Sequence, residues 1–258
     1  MRSRFVARFW AALALAALPV FAQEAQPKQP RPKSQKEIDA LKKVQADVTA
    51  QNWSQEIQDI NSVLENFSDT DYKPMLLNMA MEAAQKQGDY GQTVAYGEQI
   101  IQSDPNDITA RVTLAQSIAR HIRENDLDKD QSIKKVQDYA NKALELLKNN
   151  PPPPVGVPAD QWGPYQKQLQ GEAHDALGTA ADLAKNYPQA VTEYQAAYAA
   201  FPNPIILTHL GKAYLDNKQY DDVISTADKV LADSTAPAQI KQLAQQQKDA
   251  ATKMKGTK

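Results

Sequence analysis

Cysteine is absent from the 258 residues. That excludes disulfides, cysteine nucleophiles, thiolate zinc sites and iron–sulfur ligation. It also excludes a lipid-bearing cysteine behind a leader, so the chain is not expected to be a bacterial lipoprotein. Glycine is scarce as well, with 9 residues, about half the usual share. So little glycine argues against a β-rich fold with many tight turns, and it leaves no glycine-rich phosphate loop. The charge balance is 29 basic against 31 acidic residues, net -2. The basic excess of a nucleic-acid binder is therefore missing, and no nucleic-acid partner is expected.

Motifs of catalysis and metal binding are missing too. There is no G-x-S-x-G, no P-loop and no His-Glu-x-x-His. The three histidines, His121, His174 and His209, have no metal-ligand spacing. His174 and His209 fall one repeat apart on first helices, and two such residues do not make a site. Carboxylates are plentiful, but catalysis by them needs a desolvated pocket that separates their pKa values. The expectation is no enzyme activity, no cofactor and no metal.

What is present begins with a leader. Arg2, Arg4 and Arg8 precede an uncharged apolar run from Phe9 to Ala22. Val20 and Ala22 occupy the two small-residue positions that a signal peptidase reads. The run is short of the roughly 20 residues that span a bilayer. We expect cleavage between Ala22 and Gln23, export to the periplasm or the extracellular space, and no stable membrane anchor afterwards. An uncleaved anchor is the competing reading. Residues 23–36, with Pro27, Pro30, Pro32 and several lysines, read as a disordered or extended tether.

From Ser34 onward the apolar spacing is helical. Ile38, Leu41, Val44 and Val48 recur every three or four residues, and Ile57, Ile60, Val63, Leu64 and Phe67 do the same. The short connection Ala50-Gln51-Asn52 makes these two helices antiparallel neighbours. Mean hydropathy is -0.60 with 42% hydrophobic residues. A chain of that polarity folds if its core is thin and extended along an array.

The pattern is clearest from Gly171. Leu177-Gly178, Ala181, Ala190, Tyr194, Ala197 and Pro202 are followed by Leu210-Gly211, Tyr214, Tyr220, Val223, Ala227 and Val230. This resembles the tetratricopeptide repeat, a helix–turn–helix unit of about 34 residues. Gly178 and Gly211 would let the two helices of a unit approach, with Tyr194 and Tyr214 between them. Weaker units are read around Gly88-Asp89-Tyr90 and Pro105, over Ile108–Asn150 with a turn enlarged between His121 and Gln131, and over Glu37–Ser68. In the repeat around Gly88-Asp89-Tyr90, Tyr96 supplies a ring from one position early. The resemblance implies an all-α fold, a right-handed α-solenoid of about five helix pairs with a C-terminal capping helix. We place units one to three in residues 37–150, a Pro-rich loop in 151–163, units four and five in 164–235, and the cap and tail in 236–258. The cap would bury Ile240, Leu243, Ala250 and Met254. The run Pro151–Pro154 with Trp162 and Tyr165 is either a loop whose Trp packs back on the array, or an exposed docking element or hinge.

The family's first helices line a concave groove that holds a protein or peptide. Mapped onto this chain, that groove comprises Asn78, Glu82, Gln85, Gln116, Arg120, Glu172, Asp175, Thr179, Asp182, Thr208 and Lys212. The later half is acidic, so a basic or mixed segment is the expected guest. The resulting expectation is an exported, non-catalytic scaffold, the alternative being a subunit of an outer-membrane assembly or secretion complex.

Overall fold

The computed structural model describes residues 30–154 and 157–256. The leader, the Ala22–Gln23 cleavage point and the beginning of the tether lie outside the described residues. Among the described residues there are eleven helices and no strands. They are α1 (Gln35–Ala50), α2 (Trp53–Asn66), α3 (Lys73–Gln87), α4 (Tyr90–Ser103), α5 (Ile108–His121), α6 (Lys129–Lys148), α7 (Ala159–Leu183), α8 (Tyr187–Ala200), α9 (Pro204–Asp216), α10 (Tyr220–Ala232) and α11 (Ala238–Gly256). The chain is all-α, and its helices pack on their neighbours in sequence, the arrangement of an α-solenoid. It divides into two compact units: one runs to Pro105 and takes in Pro152–Ala159, and the other comprises Asn106–Pro151 and Asp160–Lys258.

Four of the pairs are built on one local turn. Gln51, Gly88, Lys185 and Lys218 are left-handed, with φ of 56°, 72°, 59° and 60°. That conformation lets a helix end by turning back its last N–H groups onto free carbonyls. The next residue starts the second helix. The side chains of Asn52, Asp89 and Asn186 accept the backbone N–H of Gln55, Gln92 and Gln189. An aromatic then opens the helix: Trp53, Tyr90, Tyr187 or Tyr220. Only Gly88 adopts its φ without side-chain strain. Asp89→Ala removes a cap whose bond to Gln92 is 2.9 Å. It is expected to cost about 1 kcal/mol and, in thermal denaturation, to lower Tm by roughly 2–4 °C.

In the first unit, Val44, Ile60, Val63, Leu76, Ala80 and Ala84 are wholly buried. Tyr96 is buried as expected, and its hydroxyl donates to Asn61 Oδ1 at 3.0 Å. The tether expected through Lys36 ends sooner. Ser34 already caps α1, accepting the N–H of Glu37 at 3.1 Å. Glu37 is fully buried and accepts Thr70 Oγ1 and the Lys33 N–H, each at 2.6 Å. The Tyr72 hydroxyl donates to the Pro30 carbonyl at 3.2 Å. These polar anchors, not apolar periodicity, order residues 30–34, which is why a search for periodicity passes over them.

In the second unit, α5 and α6 enclose the enlarged turn, residues 122–128. The proline run is shorter than expected, because α7 begins at Ala159 and continues through Pro164. Pro164 lies inside the helix and removes the backbone bond to the Asp160 carbonyl, while Gly163 before it has no Cβ to meet the ring. Trp162 packs back: it is buried, and its Nε1 donates to the Pro151 carbonyl at 2.7 Å. It is therefore not an exposed docking element. α11 packs on α9 and α10 through Ala244, Gln247 and Ala251. Leu243 and Met254, expected on that face, are 40% and 47% exposed. The alanines permit a closer approach than leucine or methionine, and they set the rotation of the helix.

Candidate functional site

Consecutive first helices of the second unit, α5, α7 and α9, wall a cavity of about 370 Å³. α5 contributes Gln116, Ala119 and Arg120, α7 contributes Asp175, Ala176 and Thr179, and α9 contributes Ile205 and His209. Four of the eleven groove residues named from sequence thus converge in one place. A larger hollow of about 620 Å³ lies between the end of α6 and the start of α7. It is lined by Leu147, Asn150 and residues between Gly163 and Gln170, with Lys167 as its charged group, and lacks convergent polar groups. The smaller cavity has the character of a ligand site, with apolar walls and a few directed polar atoms.

Its polar atoms are held by side-chain contacts between repeats. His209 Nδ1 donates to Asp175 Oδ1 at 2.7 Å, which directs the other ring nitrogen away from Asp175. Thr179 Oγ1 donates to the Asp175 carbonyl at 3.0 Å, and the buried Tyr194 hydroxyl donates to Thr179 Oγ1 at 3.1 Å. The Tyr194 and His209 rings lie 5.6 Å apart. Burial, reinforced by the Asp175 and Asp182 charges, pushes the Tyr194 hydroxyl well above the ordinary tyrosine range against the effect of its Thr179 bond. It stays neutral and acts as a strut. His174, one repeat earlier, pairs with Glu193 Oε2 at 2.8 Å instead. No group of three or more His, Asp or Glu is placed to hold a metal among the described residues.

Two lining side chains are uncommitted. Gln116 is 7% exposed, and its carboxamide is not enclosed but stands on the open wall of the cavity. Arg120, one turn further along α5, stands on the exposed rim. Its carbonyl, not its guanidinium, is engaged, by Arg123 Nη1 at 2.9 Å. Ile205 supplies an aliphatic surface that is 43% exposed.

The remaining groove residues are placed differently. Asp182 and Lys212 pair at 2.7 Å, and Lys212 also reaches Asp216 at 2.7 Å. Burial works against the Lys212 charge, but these two carboxylates outweigh it and hold the ammonium above the ordinary lysine range. Glu172 accepts Gln168 Nε2 at 2.9 Å. Thr208 is a correction. It is 2% exposed, its hydroxyl donates to the Ile205 carbonyl and its own carbonyl accepts Gln247 Nε2, so it faces the α11 contact and not a guest. Asn78, Glu82 and Gln85 belong to α3 in the first unit. Asn78 donates to the Pro74 carbonyl at 3.0 Å, Glu82 pairs with Lys86 at 2.8 Å, and Gln85 is exposed. The local negative field expected from Glu172, Asp175 and Asp182 is offset at Asp182, which Lys212 pairs, while Asp175 is engaged by a hydrogen bond from His209. Ile205, and His209, weighed from sequence only as a metal ligand, are additions to the groove. The signal for His209 was its one-repeat offset from Asp175, which pairs positions on adjacent first helices.

No protein-family model matches the chain, and no curated protein does. Similar solved structures exist. A thermophilic TPR protein from Thermus thermophilus superposes with a TM-score of 0.50 at 14% identity, covering 82% of this chain and 98% of that one. A tetratricopeptide repeat protein from Parabacteroides merdae gives 0.44 at 12% identity, over 84% and 90% of the two chains. The TPR2AB domain of yeast Sti1, solved as a pHSP90 complex, gives 0.30 at 13% identity, over 84% and 98%. With the helix pairs, their shared turn and the Thermus likeness together, the chain has the tetratricopeptide-repeat fold and is a TPR-like protein.

Proposed function

We propose that this chain is a non-catalytic scaffold that binds a protein or peptide in the α5–α7–α9 groove, outside the cytoplasm. The observation that carries the reading is the convergence of Gln116 and Arg120 from α5 with Asp175 and Thr179 from α7 on one cavity with apolar walls. An extended peptide backbone offers both the donor and the acceptor that the Gln116 carboxamide can use. Ile205, Ala119 and Ala176 give the guest an apolar seat. The nearby guanidinium of Arg120 favours a guest that presents a carboxylate or carbonyl there, so a plainly basic segment fits less well than the acid count suggests. Export rests on Arg2, Arg4, Arg8 and the Phe9–Ala22 run, and the mass of the natural protein should correspond to a start at Gln23.

The binding test is a pull-down with the mature chain, then affinity measurements on the captured partner. Arg120→Glu is expected to weaken binding at least about tenfold, equivalent to about 1.4 kcal/mol, with helical content unchanged. Charge reversal at Asp128 and Asp130, at the end of the enlarged turn and in the first turn of α6, is the control and should leave affinity unaltered. Loss from the control but not from Arg120→Glu would move the site to the turn and end the groove assignment.

A further inference from the structure

The first unit encloses two carboxylate oxygens that have no hydrogen-bond partner, Asp47 Oδ2 and Glu56 Oε2. They stand on the two arms of the α1–α2 turn, Asp47 near the end of α1 and Glu56 in the first turn of α2. Glu56 keeps only 3% of its surface. The charged groups acting on it come from each packed helix: Asp47 from α1, and Glu82 and Lys86 from α3. Lys86 is already committed, its Nζ lying 2.8 Å from Glu82 Oε1 and 4.1 Å from the Trp53 ring centroid. Within α2, Asp59 accepts Gln55 Nε2 at 3.1 Å, and its charge acts on the Asp47 carboxyl.

Two ionised carboxylates repel, so Asp59 disfavours the charged form of the half-buried Asp47. An enclosed, unpartnered Glu56 likewise favours the neutral acid. No three acids converge closely enough to ligate a metal among the described residues, so the ion this geometry accommodates is a proton. We propose that the packing of α1 and α3 on α2 is a proton-operated latch, closed while the enclosed Glu56 holds its proton and progressively loosened as pH rises from mildly acidic to neutral and removes it.

The electrostatics agree with the geometry. Burial, then the Glu82 charge, push the Glu56 carboxyl up to about 7 against the opposing pull of Lys86. Burial and Asp59 push Asp47 upward as well. The sign follows directly. Between the ordinary glutamate value of about 4.3 and about 7, the folded state holds a proton that the unfolded state has released, so stability falls as pH rises through that window and levels off above it. Once open, the α1–α2 seam exposes Leu41 and Val44 together with Ile57 and Ile60, an apolar face available for other contacts. None of the latch residues belongs to the proposed peptide groove.

Hydrogen exchange on the full chain tests it, at about pH 5.5 and about pH 8.5, with intrinsic rates removed. Protection at the end of α1 and the start of α2 should fall about tenfold or more at the higher pH, the equivalent of one pKa unit, while α9 and α10 serve as an unchanged reference. Glu56→Gln should abolish most of that fall. In the unaltered protein, carbon-detected NMR should place the Glu56 titration near 7. An ordinary Glu56 titration at about 4.3, or the same loss of protection in Glu56→Gln as in the natural sequence, overturns the latch.

Discussion

Replacing Trp162 by alanine is expected to lower stability by about 3–5 kcal/mol, the range for removing a buried large aromatic. The side chain is 6% exposed. Its Nε1 donates to the Pro151 carbonyl at 2.7 Å, and its ring sits 5.9 Å from that of Tyr165 at 53°. Tyr165 in turn lies 3.4 Å, oxygen to oxygen, from Thr109 on α5. Loss of Trp162 therefore opens a cavity and strands a carbonyl at the same time. Trp162→Phe keeps an aromatic ring but not the donor, and the missing hydrogen bond alone should cost about 1 kcal/mol. Urea unfolding distinguishes the two variants, provided the denaturant slope is unchanged. A Trp162→Ala cost below about 1 kcal/mol would mean that the proline run is not anchored by this ring.

The second large effect comes from the repeat glycines, which the structure shows to be unequal. A Cβ built on Gly178 falls 2.6 Å from Cδ1 and Cε1 of Tyr194. That ring is buried and tied through its hydroxyl to Thr179, so it cannot swing aside. Gly178→Leu should cost roughly 1–3 kcal/mol or more through overpacking. Even Gly178→Ala should destabilise, because the clash outweighs a helix-propensity gain of about 1 kcal/mol. Gly171 is tighter still: its Cβ would lie 2.5 Å from Phe201 Cβ and 3.0 Å from the Ala197 carbonyl, which places it against the backbone of α8. Gly211 differs. Its nearest neighbour is Gln247 Oε1 of α11 at 2.6 Å, the far end of a flexible side chain, so the close approach there is to the cap and not to the second helix of its own unit. Thermal midpoints should rank the alanine variants with Gly171 and Gly178 most damaging and Gly211 mildest. A Gly178→Leu protein that melts with the natural one would place the repeat register wrongly at α7.

The amino-acid sequence alone determined the periodic part of this protein. Helical spacing at Leu41, Val44, Ile57 and Ile60, small residues at Gly178, Ala190 and Ala197, and rings at Tyr96 and Tyr194 are local signals, and each resides on a single helix or a pair joined by a short turn. They suffice for an all-α repeat array, for the enlarged turn after His121 and for the first-helix face that carries Gln116, Arg120, Asp175 and Thr179. Tertiary structure decided whatever depends on which side chain meets which across elements. Only there does Asp175 find His209, Asp182 find Lys212, and Thr208 turn beneath α11. The rotation of α11 is of the same kind, since Ala244 and Leu243 are adjacent in the chain and the closeness of α9 and α10 chooses between them. The charge of the groove is likewise not a sum over its residues. A count of acids gives its sign only if none is paired, and pairing is set by distances between helices about 34 residues apart in sequence. Burial of Glu37 and Glu56 was hidden for the same reason: an isolated glutamate reads as solvent-facing, and only packed neighbours can remove its water.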